Sequence, residues 1–182
     1  MADLREEVDD LRREVRELRD RQAILDCINT YCRGLDRLDS QMLGSAYHAG
    51  AEDRHGPFYG TREEFVPWAI ELCSGFPSTH HSVTTHTCRI EGDSAYAETY
   101  CIFFTLMPDG SRLGCGAARY IDQLERRSGT WAIVARCEIM DCAFELQRSS
   151  WLGGAWEEVP ARRDRQDLSY HRPLRVPLPS SK

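Results

Sequence analysis

No apolar run in this chain approaches the roughly 18 residues a helix needs to cross a bilayer, so no membrane role is expected. Excess basic charge is missing too. Lys and Arg total 23 against 29 Asp and Glu, a net charge of −6, whereas a nucleic-acid binder displays a basic patch. The first residues, Met1-Ala2-Asp3-Leu4-Arg5-Glu6-Glu7, carry neither the basic nor the apolar block of a secretory signal, and the expected compartment is the cytoplasm. The P-loop, the Rossmann glycine fingerprint, the G-x-S-x-G elbow and H-E-x-x-H are all absent. Those absences leave acid–base chemistry without a cofactor as the main catalytic option.

Cysteine is plentiful, but its pairing signals are not. The eight cysteines (Cys27, Cys32, Cys73, Cys88, Cys101, Cys115, Cys137, Cys142) form no C-x-x-C pair. Several alternate with apolar residues in strand-like runs, as small buried hydrophobes do. Cys137, Cys142 and a histidine offer one zinc-like spacing, set against the expectation of no metal and no cofactor.

What is present suits a soluble globular protein: 182 residues, 41% of them hydrophobic and 29% charged, enough for one domain with a real core plus extensions. Leu4, Val8, Leu11, Val15 and Leu18 recur at alternating four and three, a coiled-coil seam. The seam predicts a helical arm over 1–20 that packs on its own domain or on a neighbouring subunit. The helix continues through Ile24 to Asp39. At about 100° per residue, Ile24, Leu25, Ile28, Tyr31, Cys32 and Leu35 share one arc, with Asp36 at its edge and Arg33 and Arg37 directed to solvent. Asp36 is then either a solvated helix-end residue or a carboxylate at the core margin, where desolvation raises a pKa and suits it to proton transfer.

Gly34 is expected to loosen the end of this helix. Asp39-Ser40 can cap a second helix containing Met42, Leu43 and Tyr47. Ala49 to Gly60 reads as a short polar strand or turn. Thr61-Arg62-Glu63-Glu64 is a capping-box start for a helix through Phe65, Trp68, Ala69 and Leu72. From Ser78 the period becomes two, with strands expected at about 79–91, 95–107, 112–126 and 130–146 between tight turns. This predicts an α+β domain over 21–147 whose strongly bent antiparallel sheet encloses a pocket. An irregular tail over 148–182, with Trp151, Gly153-Gly154, Trp156 and prolines at 173, 177 and 179, is expected to lie across the domain or a partner subunit.

Thr79-His80-His81-Ser82-Val83-Thr84-Thr85-His86 holds three of the six histidines. On a regular strand His80 and His86 share one face and His81 takes the other, so a three-histidine metal site is not expected. One of them facing a pocket near Asp36 makes a carboxylate–imidazole pair; otherwise they are polar residues of an edge strand. By the same alternation Asp141 shares a face with Trp131, Ile133 and Cys137, and Arg119 with Leu113 and Cys115. Each reads as a pocket group or as half of a structural ion pair.

The order of these features resembles the SnoaL-like members of the nuclear-transport-factor-2-like superfamily over about 21–146. The residues carrying the resemblance are Tyr31-x-x-x-x-Asp36, Phe58-Tyr59-Gly60, His81-x-x-x-Thr85-His86, Glu91-Gly92-Asp93 and Leu124-Glu125-Arg126-Arg127-x-Gly129-x-Trp131. The resemblance implies a cone-shaped barrel closed by N-terminal helices. It also implies cofactor-free β-elimination of the kind run by bile-acid 7α-dehydratase, hexachlorocyclohexane dehydrochlorinase and, more distantly, scytalone dehydratase. By that likeness Asp36 orients a histidine, His81 (or its neighbour His80) is the base, and Tyr31 donates a hydrogen bond. His55 and Trp68 become substrate-binding residues. Thr85 stands where many relatives have asparagine, and Asp141 where the bile-acid enzyme has arginine. Both departures argue against a bile-acid-like or coenzyme-A-linked substrate.

The expectation is therefore a dehydratase-type lyase for a small hydrophobic cyclic molecule such as a steroid or polyketide. An isomerase or cyclase sharing the first proton abstraction, or a non-catalytic binding or oligomerisation module, stands as the alternative. A homo-oligomer, trimer or dimer, is expected, with no nucleic-acid or membrane partner. The discriminating feature is whether Asp36 and a histidine of the 80–81 pair meet at the bottom of an apolar pocket.

Overall fold

The computed structural model describes residues 2–147 and 161–174. Helix α1 (Ala2–Asp36) is continuous. Its N-terminal half stands clear of the domain, with every side chain from Leu4 to Arg19 exposed. Contact begins at Asp20, whose carboxylate accepts from the Trp131 indole N–H (2.8 Å) and from Arg126 (2.9 Å). Beyond it Ile24, Cys27, Ile28, Tyr31, Cys32 and Leu35 are buried. Cys27 replaces Leu25 in the expected stripe, because the core lies slightly to its side of the helix.

Helix α2 (Ser40–Ser45) is capped by Asp39, whose side chain accepts from the Met42 N–H at 3.0 Å. Gly34 serves this junction: a Cβ there would lie 2.6 Å from the Leu43 nitrogen. The glycine is needed for close helix packing rather than for a soft helix end. Tyr47, expected in α2, instead opens strand β1 (Tyr47–His55), which turns at Gly56 into β2 (Phe58–Thr61). Helix α3 (Arg62–Ser74) starts where Glu64 accepts from the Thr61 backbone N–H (2.8 Å). Four long strands follow: β3 (Ser78–Glu91), β4 (Ser94–Leu106), β5 (Arg112–Arg127) and β6 (Thr130–Gln147).

The strands form one curved, unclosed sheet in the order β2-β1-β6-β5-β4-β3. It is mixed rather than wholly antiparallel, because β1 runs parallel to β6. No hairpin joins those two strands, so no tight turn dictates their relative direction. Helices and concave face enclose the core of the α+β cone.

Bulges decide which side chains face inward. Between Val83 and His86, and twice along β6, one strand carries one residue more than its partner. Each insertion moves the following side chains to the opposite face. Hence His86 turns inward, its Nδ1 2.8 Å from the Thr99 hydroxyl, while His80 is exposed on the other side. On β6 the skip at Val134 brings Arg136 and Glu138 inside and turns Cys137 and Ile139 out. Asp141 is itself skipped in the pairing.

Residues 161–174 fold back over the end of α1. Arg33 and Arg37, expected in free solvent, hold this segment. Arg33 lies over the Tyr170 ring, 4.9 Å from its centroid, and Arg37 donates to the Arg162 carbonyl (2.7 Å) and to Asp167 (3.3 Å). Trp151, Gly153-Gly154, Trp156, Pro177 and Pro179 lie outside the described residues. All eight cysteines are free. Among the described residues no helix is long and apolar enough to cross a membrane, and no three His, Cys, Asp or Glu side chains gather to hold a metal.

Candidate active site

Asp36 is the last residue of α1 and is buried at the core margin, 6% exposed. Strand β3 passes beside it. The Asp36 Oδ2 accepts from the His81 backbone N–H (2.9 Å), Oδ1 lies 2.7 Å from His81 Nδ1, and the Thr79 hydroxyl donates to Oδ1 (3.1 Å). One carboxylate thus fixes both the strand and the ring. With Asp36 accepting at Nδ1, that nitrogen carries the proton and Nε2 keeps its lone pair. The His81 side chain borders an apolar pocket of about 300 Å³ whose wall includes Leu35, Phe65, Trp68, Phe76 and Phe103.

The same pocket is lined by a second polar group, in which Glu138 joins Tyr31 and His55. His55, at the end of β1, places Nδ1 3.5 Å from the Tyr31 hydroxyl and Nε2 3.3 Å from a Glu138 oxygen. Burial, with the Arg136 charge, lowers the His55 pKa to about 3, so the ring is neutral. Burial and the nearby Asp53 raise the Glu138 pKa above the ordinary carboxylate range. Tyr31, fully buried, is held well above a usual phenol by desolvation and remains a donor. The geometry forms a relay: Tyr31 Oη–H toward His55 Nδ1, and His55 Nε2 against Glu138.

Beneath the relay lies a buried ion pair. Arg136 on β6 meets Asp122 on β5 with two bonds, 2.7 and 2.8 Å, both side chains being fully enclosed. The guanidinium covers the Tyr31 ring at 4.0 Å and the Tyr120 ring at 4.3 Å, a cation–π arrangement that anchors Tyr31 from below. Asp53 completes this layer, accepting from the Tyr47 hydroxyl at 2.5 Å. Desolvation outweighs that bond and the Arg136 charge, and lifts the Asp53 pKa to about 6.

The folded-back segment reaches the same place. Arg163 donates to the carbonyls of Asp36 (3.0 Å), Cys73 (2.8 Å) and Phe76 (2.6 Å), and to the Thr79 hydroxyl (2.9 Å). It ties the ends of α1 and α3 to the start of β3 directly behind the Asp36–His81 pair.

The structure therefore brings together Asp36, His81, Tyr31, His55 and Trp68. It does not bring Asp141, which lies on the exposed face bound to Arg119 at 2.9 Å. Regular alternation predicted the opposite, and the bulges of β6 are the physical reason. Thr85, in the β3 bulge, is exposed as well. Glu138 and Arg136 were missed for the same reason: alternation placed them outside. A larger recess of about 710 Å³ around Tyr96, Glu98 and Ile121 carries no histidine, so chemistry rather than volume singles out the site.

Sequence comparison with curated proteins finds no match. Several solved structures share the fold. The LinA-type3 hexachlorocyclohexane dehydrochlorinase of Novosphingobium barchaimii LL02 aligns with a TM-score of 0.69 and 19% identity over 78% of this chain and 99% of that one. LinA aligns at 0.68 and 20%, over 73% and 93%. A protein of Novosphingobium aromaticivorans DSM 12444, provisionally named a scytalone dehydratase, aligns at 0.66 and 16%, over 73% and 91%. Residues 16–137 match the model of the SnoaL-like domain. That match spans more than half of the sequence, and the chain belongs to the SnoaL-like domain family.

Proposed function

We propose that this chain is a cofactor-independent lyase that eliminates water, or another small leaving group, from a compact hydrophobic ring substrate such as a steroid or polyketide. The observation that carries the reading is the 2.7 Å contact of Asp36 with His81 Nδ1 at the edge of an apolar pocket. Asp36 holds the imidazole in one tautomer and stabilises the cation formed when Nε2 takes a proton beside a carbonyl. Tyr31, by donating to His55 Nδ1, keeps the ring proton on Nε2, where it is the donor for developing negative charge, and Glu138 is placed to return a proton to the departing oxygen. Trp68 and the neighbouring aromatics hold the rings. Among the described residues the lining includes no Lys or Arg, which favours a neutral substrate. The names of the structural neighbours, a dehydrochlorinase and a dehydratase, agree with elimination. The working form is an oligomer in the cytoplasm.

The experiment is turnover on a panel of hydroxysteroids and cyclic hydroxyketones, with His81→Ala and Asp36→Ala alongside. Product bearing a new double bond, lost in both variants, supports the reading. Turnover that survives both substitutions defeats it.

A further inference from the structure

The N-terminal half of α1 has an apolar seam that the described residues leave exposed. Leu4, Val8, Leu11, Val15 and Leu18 are 64, 37, 54, 44 and 66% exposed. The seam does not continue the buried stripe of the same helix. At about 100° per residue its mean direction lies roughly 150° from that of Ile24, Ile28, Tyr31 and Leu35. The domain cannot cover it, and a helix laid on it meets no part of its own domain core.

We propose that residues 4–19 form a parallel two-stranded coiled coil with a second copy of this chain. With Leu4, Leu11 and Leu18 at d, Val8 and Val15 fall at a. A β-branched residue at a with leucine at d is the combination that favours two parallel strands. The flanking charges select both partner and direction. The g positions are Glu7 and Glu14, and the e positions are Arg5, Arg12 and Arg19. In a parallel pair each g faces the following e of the other chain. Glu7 then meets the partner's Arg12, and Glu14 meets the partner's Arg19, twice over by symmetry. An antiparallel pair sets glutamates against glutamates and arginines against arginines. Arg12 also contacts Asp9 in its own chain at 3.1 Å, but both side chains are more than 60% exposed. Such a surface pair holds too weakly to keep the arginine from its partner.

Two features let so short a seam suffice. The helix is already nucleated by its rooted half, from Asp20 onward, so association does not bear the usual cost of starting a helix. The seam also has a defined end. Gln22, the next a position, is exposed and turned to Asp26 at 2.8 Å.

Sedimentation of the full chain over a concentration series tests the proposal. Twice the chain mass is expected for the unmodified protein, and half of that for Val8→Lys/Val15→Lys, with cooperative melting retained because neither residue packs on the domain. Glu7→Arg/Glu14→Arg alone is expected to dissociate, and mixing it with Arg12→Glu/Arg19→Glu restores a one-to-one pair. Leu4→Cys is expected to yield a disulfide-linked dimer on mild oxidation, beyond any formed by the unmodified chain, because parallel strands set identical positions side by side. A monomer or trimer mass for the unmodified chain overturns the proposal. So does a mass that Val8→Lys/Val15→Lys leaves unchanged, which would place the contact elsewhere, such as the exposed Tyr100 and Phe104 of the sheet. A Leu4→Cys chain that forms no extra linked dimer overturns the parallel arrangement.

Discussion

Asp36 grips His81 at two points, its Oδ2 on the backbone N–H at 2.9 Å and its Oδ1 against Nδ1 at 2.7 Å. The residue that orients the ring also sets the register of the strand carrying it against the helix end. Asp36→Ala should therefore lower both stability and turnover. The unpaired N–H and the freed Thr79 hydroxyl cost about 1–3 kcal/mol, and loss of the oriented base lowers kcat about 10²–10⁴-fold. His81→Ala spares the backbone contact, so the same rate loss should come with a smaller drop in melting temperature. Equal destabilisation by the two would remove the double role.

Glu138 should appear in the pH profile. Its raised pKa keeps the acid form present at higher pH than an ordinary glutamate. If it protonates the leaving oxygen, turnover falls as pH rises through that pKa. Glu138→Gln should abolish this alkaline limb and slow loss of hydroxyl more than loss of chloride, which needs no proton. A profile unchanged in Glu138→Gln would rule the acid role out.

His55 links stability to pH. Its pKa falls from 6.5 to about 3 through burial first and the Arg136 charge second. The unfolded chain takes a proton below about pH 6.5 and the folded chain does not. The contribution is thus complete above that pH and is lost as pH falls toward 3. At pH 5 the loss is about 2 kcal/mol, and denaturant melts of His55→Gln should show a shallower acid slope. Asp53 has the opposite sign. Its pKa is raised from 3.8 to about 6, so its contribution is present below 3.8 and lost as pH rises through 6. Asp53→Asn should gain on the unmodified protein above pH 6.

Arg163 is a clamp whose fork a lysine cannot reproduce. Arg163→Ala leaves the Cys73 and Phe76 carbonyls without this donor, at about 1–3 kcal/mol. Arg163→Lys should recover only part of that. Limited proteolysis should cut residues 161–174 faster in Arg163→Ala; an unaltered digestion pattern would show that the other contacts of the segment, through Arg33, Arg37 and the Arg165 and Tyr170 bonds to Asp39, suffice to hold it.

The Arg136–Asp122 pair should behave as a buried unit. Arg136→Met leaves an uncompensated carboxylate and costs about 3–5 kcal/mol, whereas Arg136→Met with Asp122→Leu should regain much of it. A double variant no better than the single would mean that the cation over Tyr31 and Tyr120, not the pair itself, is what the core needs.

Much of this architecture is local in origin and therefore legible in the order of residues. The 3.6 period of α1, the Thr61–Glu64 box and the turns at Gly92, Gly110 and Gly129 placed α3 and the four long strands within a residue or two, while α1 was carried past its end at Asp36 and α2 too far, through Tyr47. Family likeness pointed to Asp36 and His81, whereas periodicity alone left Asp36 either a solvated helix end or a carboxylate at the core margin. Asp141 and Glu138 show where such reading stops. Alternation assigned them to the wrong faces because a bulge is one unpaired residue whose position depends on the neighbouring strand.

The sequence by itself determined α1, α3, the four long strands and the charged seam of α1, since capping, periodicity and turn chemistry act over a few residues. Only the tertiary structure decided that β1 runs parallel to β6, that Glu138 rather than Asp141 joins His55, and that Arg163 braces the Asp36–His81 pair. Those outcomes depend on contacts between segments far apart in the chain, where packing and desolvation, not local propensity, set the free energy.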